Sequence, residues 1–299
     1  MSLTGRDIGK AALSGAAFLF RRLETGEAIR RILVVALVLG VSGCASIDRF
    51  GGSRQAVIDW GHERGFDAQH VLLKRFRLLA LQRIDPARQN GVLDVYIEGD
   101  GAAWPTPFQP PRDPTPAQPV ALAMAASDPA PAVLYLGRPC QYLEATELAA
   151  CSPEYWTSSR FAPEVVTAYM AFLDRYKQSS GVSRLRLFGH SGGGVLATLL
   201  AARRADVIQL ATVAAPLAVT EWTTWHKMTP LSGSLDPAMT VQGPLPPATH
   251  FVGGSDNVVP PRLVAIFAAR TGGNLHEVPD FDHECCWSRD WRRLLEEMQ

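Results

Sequence analysis

The sequence predicts an α/β protein, a mostly parallel sheet with helices on both faces. Two observations lead there. After an initial pair of strands, apolar runs of strand length alternate with segments of helical period, the order that builds parallel sheets. Hydrophobic residues also make up 47% of the 299 positions and charged residues 19%, which suits a large core and excludes a disordered polymer.

Taken in order, Phe76–Leu81 and Val92–Glu98 read as strands, joined by a turn from Asp85-Pro86 to Asn90-Gly91, so that the two are expected to pair as a hairpin. The proline-rich stretch 105–119 reads as loop and 120–126 as a short helix. Val133–Leu136 is a short apolar strand. Pro163 opens a helix to Gln178 whose Val166, Tyr169, Met170 and Leu173 fall on one stripe. Leu185–Phe188 is a strand, 194–204 a helix of small residues, and 207–214 a further strand. Residues 217–248 carry two tryptophans and five prolines without a clear period, which predicts a lid-like excursion. Strands at 250–252 and 275–278 follow, with helices at 261–270 and 287–298.

The formal charge is zero, from 29 basic and 29 acidic residues. Without a basic excess to neutralise phosphates, no nucleic-acid partner is expected. Six basic and three acidic residues lie in positions 1–43, leaving 23 basic against 26 acidic in the rest, an ordinary balance for a soluble domain. Arg30-Arg31, the apolar run Ile32–Val41 and the small residues that follow form a secretory leader. That run is shorter than the roughly 20 residues a membrane-spanning helix needs. Val41-Ser42-Gly43-Cys44 resembles the bacterial lipobox. The resemblance implies cleavage before Cys44, acylation of that cysteine and a membrane partner through the lipid. With Ala45 and Ser46 following, it also implies the outer membrane, facing the periplasm. The expected organisation is a leader over 1–43, a tether over 44–65 and one domain over 66–299.

Gly189-His190-Ser191-Gly192-Gly193 reads G-x-S-x-G between a strand and a helix. A serine on so sharp a turn needs small neighbours, and the helix start beneath it presents free N–H groups. On this motif the chain, from about Phe66 onward, resembles the α/β hydrolases, whose triad runs serine, acid, histidine along the chain. In that order Gly253, Asp256, Val259 and Pro260 match the family's G-x-x-D-x-x-V-P loop, and His283 follows the last strand. The resemblance therefore implies Ser191, Asp256 and His283 as catalytic residues. Asp236 is a competing acid but precedes the late strand, His276 lies inside a strand, and Asp282 is expected to be solvated. The Gly192 N–H is the first expected oxyanion donor. The second is expected from Gly99, Asp100 or Gly101, in a Glu98-Gly99-Asp100-Gly101 turn that departs from the family's H-G forms.

Arg138–Tyr142 reads equally as pocket wall or surface loop, and Trp156, Trp222 and Trp225 equally as pocket aromatics or packing anchors. The expected activity is hydrolysis of a small-molecule carboxylic ester or related acyl compound, such as a thioester or amide, through an acyl-enzyme, with acyl transfer to another acceptor and a non-catalytic binding lipoprotein as alternatives. The five cysteines lack a C-x-x-C zinc pattern, and with no metal cluster or phosphate-binding loop evident in the sequence, no cofactor or metal is expected. With Cys44 acylated in an oxidising compartment, the remaining four cysteines allow three connectivities. Cys140 with Cys151 is expected, and the state of Cys285 and Cys286 is left open.

Overall fold

The computed structural model describes residues 50–73, 75–102 and 109–298. The leader and Cys44 lie outside these residues. A single mixed sheet of eight strands runs through the domain: β1 (Asp67–Leu73), β2 (Phe76–Ile84), β3 (Val92–Ile97), β4 (Ala132–Leu136), β5 (Arg184–His190), β6 (Val207–Val213), β7 (Ala248–Gly253) and β8 (Asn274–Val278). Their spatial order is β1-β2-β4-β3-β5-β6-β7-β8. From β4 onward every pairing is parallel, while β2 runs antiparallel to both of its neighbours.

Strands buried on both faces alternate between two cores. Leu93, Val95 and Ile97 of β3 and Leu134 and Leu136 of β4 enter one core. It is closed by Val165, Tyr169 and Leu173 of helix α4 (Pro163–Ser180) and Val195 and Leu199 of helix α5 (Gly192–Ala201). Tyr96 of β3, Val133 and Tyr135 of β4 and Phe188 of β5 enter the other. Helices α2 (Val120–Ser127) and α9 (Trp287–Glu296) cover that side. Trp291 of α9 packs edge-on against Tyr96, Phe188 and Phe251, and its indole N–H donates to the Tyr96 hydroxyl at 2.7 Å. A buried aromatic with its polar atom satisfied in this way anchors a helix firmly.

Two expectations are corrected, and one strand is new. The first hairpin joins β1 to β2, and β4 lies between β2 and β3, so the turn at 85–91 links strands that are not neighbours. β1 is largely exposed and carries no alternating apolar signal. Within the expected tether, Arg54–His62 forms helix α1, capped by the Ser53 hydroxyl accepting from Ala56 N–H. Its buried Val57 joins the second core, which makes this stretch part of the domain.

The expected disulfide between Cys140 and Cys151 is present, bracing the segment after β4 that holds helix α3 (Ala145–Leu148). Cys285 and Cys286 are bonded to each other. The excursion at 217–248 contains two short helices, α6 (Val219–Trp225) and α7 (Pro237–Thr240), and helix α8 (Pro261–Thr271) follows β7. Asp236 caps both: its carboxylate accepts from Val219, Thr220 and Ala238 N–H at 3.1, 2.8 and 2.9 Å. A cap contributes roughly 1 kcal/mol, so Asp236→Ala should lower unfolding free energy in urea by about twice that. An unchanged midpoint and slope would show that the capping bonds contribute nothing.

Candidate active site

Ser191 sits between β5 and α5 with φ 50° and ψ −124°, a conformation an L-residue adopts only when its surroundings impose it. They do so by close packing. A Cβ on Gly189 would fall 2.3 Å from the Gly193 carbonyl oxygen, and one on Gly193 would fall 2.1 Å from that of Ile97. The turn lifts the hydroxyl above the C-terminal edge of the sheet. The loops after β7 and β8 open on the same edge and bring Asp256 and His283.

Ser191 Oγ lies 3.0 Å from His283 Nε2, and His283 Nδ1 lies 2.9 Å from Asp256 Oδ2. The second carboxylate oxygen, Oδ1, accepts from Val258 and Val259 N–H, both at 2.8 Å, so the 3%-exposed carboxylate is held on both sides. It therefore orients the imidazole with Nδ1–H toward itself, leaving Nε2 free to accept the serine proton.

The turn bearing His283 is fastened from below. Asp282, expected to be merely solvated, caps it by accepting from Glu284 and Cys285 N–H at 2.9 and 2.7 Å. The His283 carbonyl accepts from His190 Nε2 at 2.8 Å and from the Trp287 indole at 3.2 Å. Burial, helped by the adjacent His283, pushes the His190 pKa down to about 3, so its ring stays neutral with the proton on Nε2.

No family model matches the sequence, and no curated protein matches it. Solved structures do. Over 78% of this chain and 95% of the other, it superposes on an α/β serine hydrolase homologue from Coxiella burnetii with TM-score 0.52 and 13% identity. XC6422 from Xanthomonas campestris, described as an α/β serine hydrolase without lid, matches over 78% and 92% with TM-score 0.53 and 16% identity. The chain has the α/β-hydrolase fold. The Pyrococcus furiosus esterase Pf2001 shares it too, at TM-score 0.54 and 12% identity over 80% of this chain and 93% of that one.

In the α/β-hydrolase fold of this chain, a cavity of about 250 Å³ opens at Ser191 and His283. Val120, Trp156, Trp222 and Val258 form its apolar wall, and Arg160 and Glu284 add charge. Trp156 is fixed by its indole N–H to the Pro111 carbonyl at 3.0 Å, and Trp222 by the same bond to Val258 at 2.7 Å. Trp225 points elsewhere, half exposed beneath the Arg262 guanidinium.

Of the three turn residues expected to complete an oxyanion hole, Gly99 is excluded. Its N–H donates to Glu98 Oε1 at 2.9 Å. Glu98 also accepts from Ala121 and Leu122 N–H at the start of α2, and burial raises its pKa to about 7. Among the described residues, the Asp100 and Gly101 N–H groups have no acceptor. Arg138 belongs neither to the cavity wall nor to the surface. It is buried and reaches the Asp100 carboxylate, as does Arg160. Sequence reasoning missed Arg160, because nothing in its neighbourhood marks it. Among the described residues, no group of three or more His, Cys, Asp or Glu side chains is placed to hold a metal ion.

Proposed function

We propose that the protein is a serine hydrolase that cleaves a small carboxylic ester through an acyl-enzyme. The observation that carries this reading is the continuous hydrogen-bonded chain from Asp256 through His283 to Ser191, set on a strained turn at the mouth of a cavity. A serine hydroxyl is a poor nucleophile until a positioned base removes its proton. As Ser191 Oγ attacks the ester carbon, His283 Nε2 takes that proton and Asp256 stabilises the imidazolium. The carbonyl oxygen becomes an oxyanion, held by Gly192 N–H and by the free N–H of Asp100 or Gly101. The tetrahedral species collapses, His283 returns the proton to the departing alcohol, and the acyl group remains on Ser191. Water, deprotonated by the same imidazole, then releases the acid.

Turnover of p-nitrophenyl esters from C2 to C16 tests the reading. The cavity's size and its apolar wall favour short acyl chains, so the rate should fall as the chain outgrows it. Failure to hydrolyse any chain length would contradict the reading.

We also infer that the enzyme is exported and held to the cell envelope, at the outer membrane, by a lipid on Cys44. The leader pattern supports this, and the Cys140–Cys151 disulfide suits an oxidising compartment. Several acyl chains anchor stably where one anchors marginally. Cys44→Ser should abolish palmitate labelling and move the protein out of the membrane fraction or leave its leader uncut. Persistent labelling would refute the anchor.

A further inference from the structure

The turn after β3 carries a carboxylate where negative charge is least welcome. A Cβ on Gly192 would fall 2.1 Å from Asp100 Oδ1, so that oxygen lies against the residue whose N–H is assigned to the oxyanion. Unopposed, Asp100 would repel the charge that develops there in the transition state.

Two guanidinium groups oppose it. Arg138 Nη1 donates to Oδ1 at 2.9 Å and Arg160 Nη1 to Oδ2 at 2.7 Å. Arg138 is 3% exposed and Arg160 4%. Arg138 Nη2 also donates to the Arg160 carbonyl at 2.7 Å, and Arg160 Nε to the Thr157 carbonyl at 2.8 Å, so both forks are fixed. Burial disfavours the Asp100 anion, but Arg160 and Arg138 outweigh it and hold the carboxyl below its usual range. The cluster is thus two cations on one anion, with a net charge of +1. Arg138 Nε and Arg160 Nη2 are buried without a partner among the described residues. An uncompensated buried charge is costly. This one stands at the cavity of Ser191, which Arg160 lines, where a full negative charge forms in every catalytic cycle.

The same segment fastens the backbone of the turn. Gln141 Nε2 donates to the Gly99 carbonyl at 3.0 Å, while its Oε1 accepts from Arg138 N–H at 3.0 Å. Cys140 lies between these residues, so the disulfide to Cys151 braces the platform.

Resting on the serine-hydrolase reading, we propose that Arg138 and Arg160 clamp Asp100 into a net-positive cluster that positions the oxyanion turn and stabilises the tetrahedral intermediate electrostatically. They are positioning residues, since they act through Asp100 and the turn.

The test is steady-state hydrolysis of p-nitrophenyl butyrate by wild type, Arg160→Gln, and the double variant Asp100→Asn/Arg160→Gln, each checked for folding by near-UV circular dichroism. Arg160→Gln makes the cluster neutral and leaves the carboxylate beside Gly192. Loss of an oxyanion donor outright costs about 10²–10³ in kcat, so kcat should fall by about 10- to 100-fold with KM nearly unchanged. The double variant restores the +1 charge and removes the carboxylate, so it should recover most of the lost kcat. A purely structural role would leave it no better than the single variant. Should Arg160→Gln fail to fold, Arg160→Lys, which keeps the charge, should retain kcat to within about tenfold, well short of the loss of a donor.

Wild-type kcat in Arg160→Gln, a double variant no faster than the single, or a folded Arg160→Lys as slow as a donor deletion would each overturn the proposal alone. A wild-type protein that neither turns over ester nor reacts with a fluorophosphonate would remove the hydrolase reading, and the proposal with it.

Discussion

His283→Ala should lower ester turnover by about four to six orders of magnitude, and adding Ser191→Ala to it should cost little more, because triad members act as a unit. The geometry makes the coupling specific. His283 Nε2 is 3.0 Å from Ser191 Oγ, and the ring is held by Asp256 on one side and by its own carbonyl's bonds to His190 and Trp287 on the other. Without the imidazole the hydroxyl has no acceptor for its proton, and without the hydroxyl the imidazole has nothing to activate. Asp256→Ala should cost less than either, since the base survives but loses its orientation. The measurement is kcat/KM for p-nitrophenyl butyrate across the single and double variants. Additive losses would show that the three residues do not work together.

Acid should destabilise the fold through two buried histidines, and His250→Asn should remove about half of that effect. Burial lowers the His250 pKa to about 4 and the His190 pKa to about 3. In the unfolded chain both take up protons near pH 6.5. Below that pH the unfolded state binds protons that the native state refuses, so this contribution to stability is complete above about 6.5 and is lost as pH falls toward the native values. Each pH unit across that window costs about 1.4 kcal/mol per histidine, so each histidine should contribute a loss of about 3 kcal/mol at pH 4.

Glu98 works in the opposite direction. Its native pKa of about 7 lies above the unfolded value, so its penalty, present at high pH, is relieved on acidification. The comparison between variants isolates His250 from it. Asn keeps a partner for Thr212, whose hydroxyl is 2.8 Å from His250 Nδ1, but cannot titrate. Urea unfolding at pH 6.5 and pH 4 reads the difference. An equal acid loss in wild type and His250→Asn would contradict the assignment.

The parts of this fold that were legible in the sequence are local ones. G-x-S-x-G between a strand and a helix is a contiguous signal, and Asp256 and His283 lie in loops that follow recognisable strands. The first strand was hidden because an exposed edge needs no apolar face, and Asp67–Leu73 shows almost none. The partner of β2 is not legible locally, because strand order depends on β4, which arrives after a loop and a helix. α1 was obscured by the Gly and Arg content around it, although Ser53 and Val57 supply a cap and a core contact. The Asp100 cluster was least legible of all. Its arginines stand 38 and 60 residues away in chain order, and an arginine that neutralises a carboxylate looks in sequence like any other.

The serine-hydrolase mechanism proposed here depends on Ser191 being an activated nucleophile. Incubating the purified protein with a fluorophosphonate and weighing it intact, then after digestion, tests that most directly. One adduct is expected, on the peptide holding Ser191, and none in Ser191→Ala. No adduct on wild type, or an adduct that persists in Ser191→Ala, would contradict it.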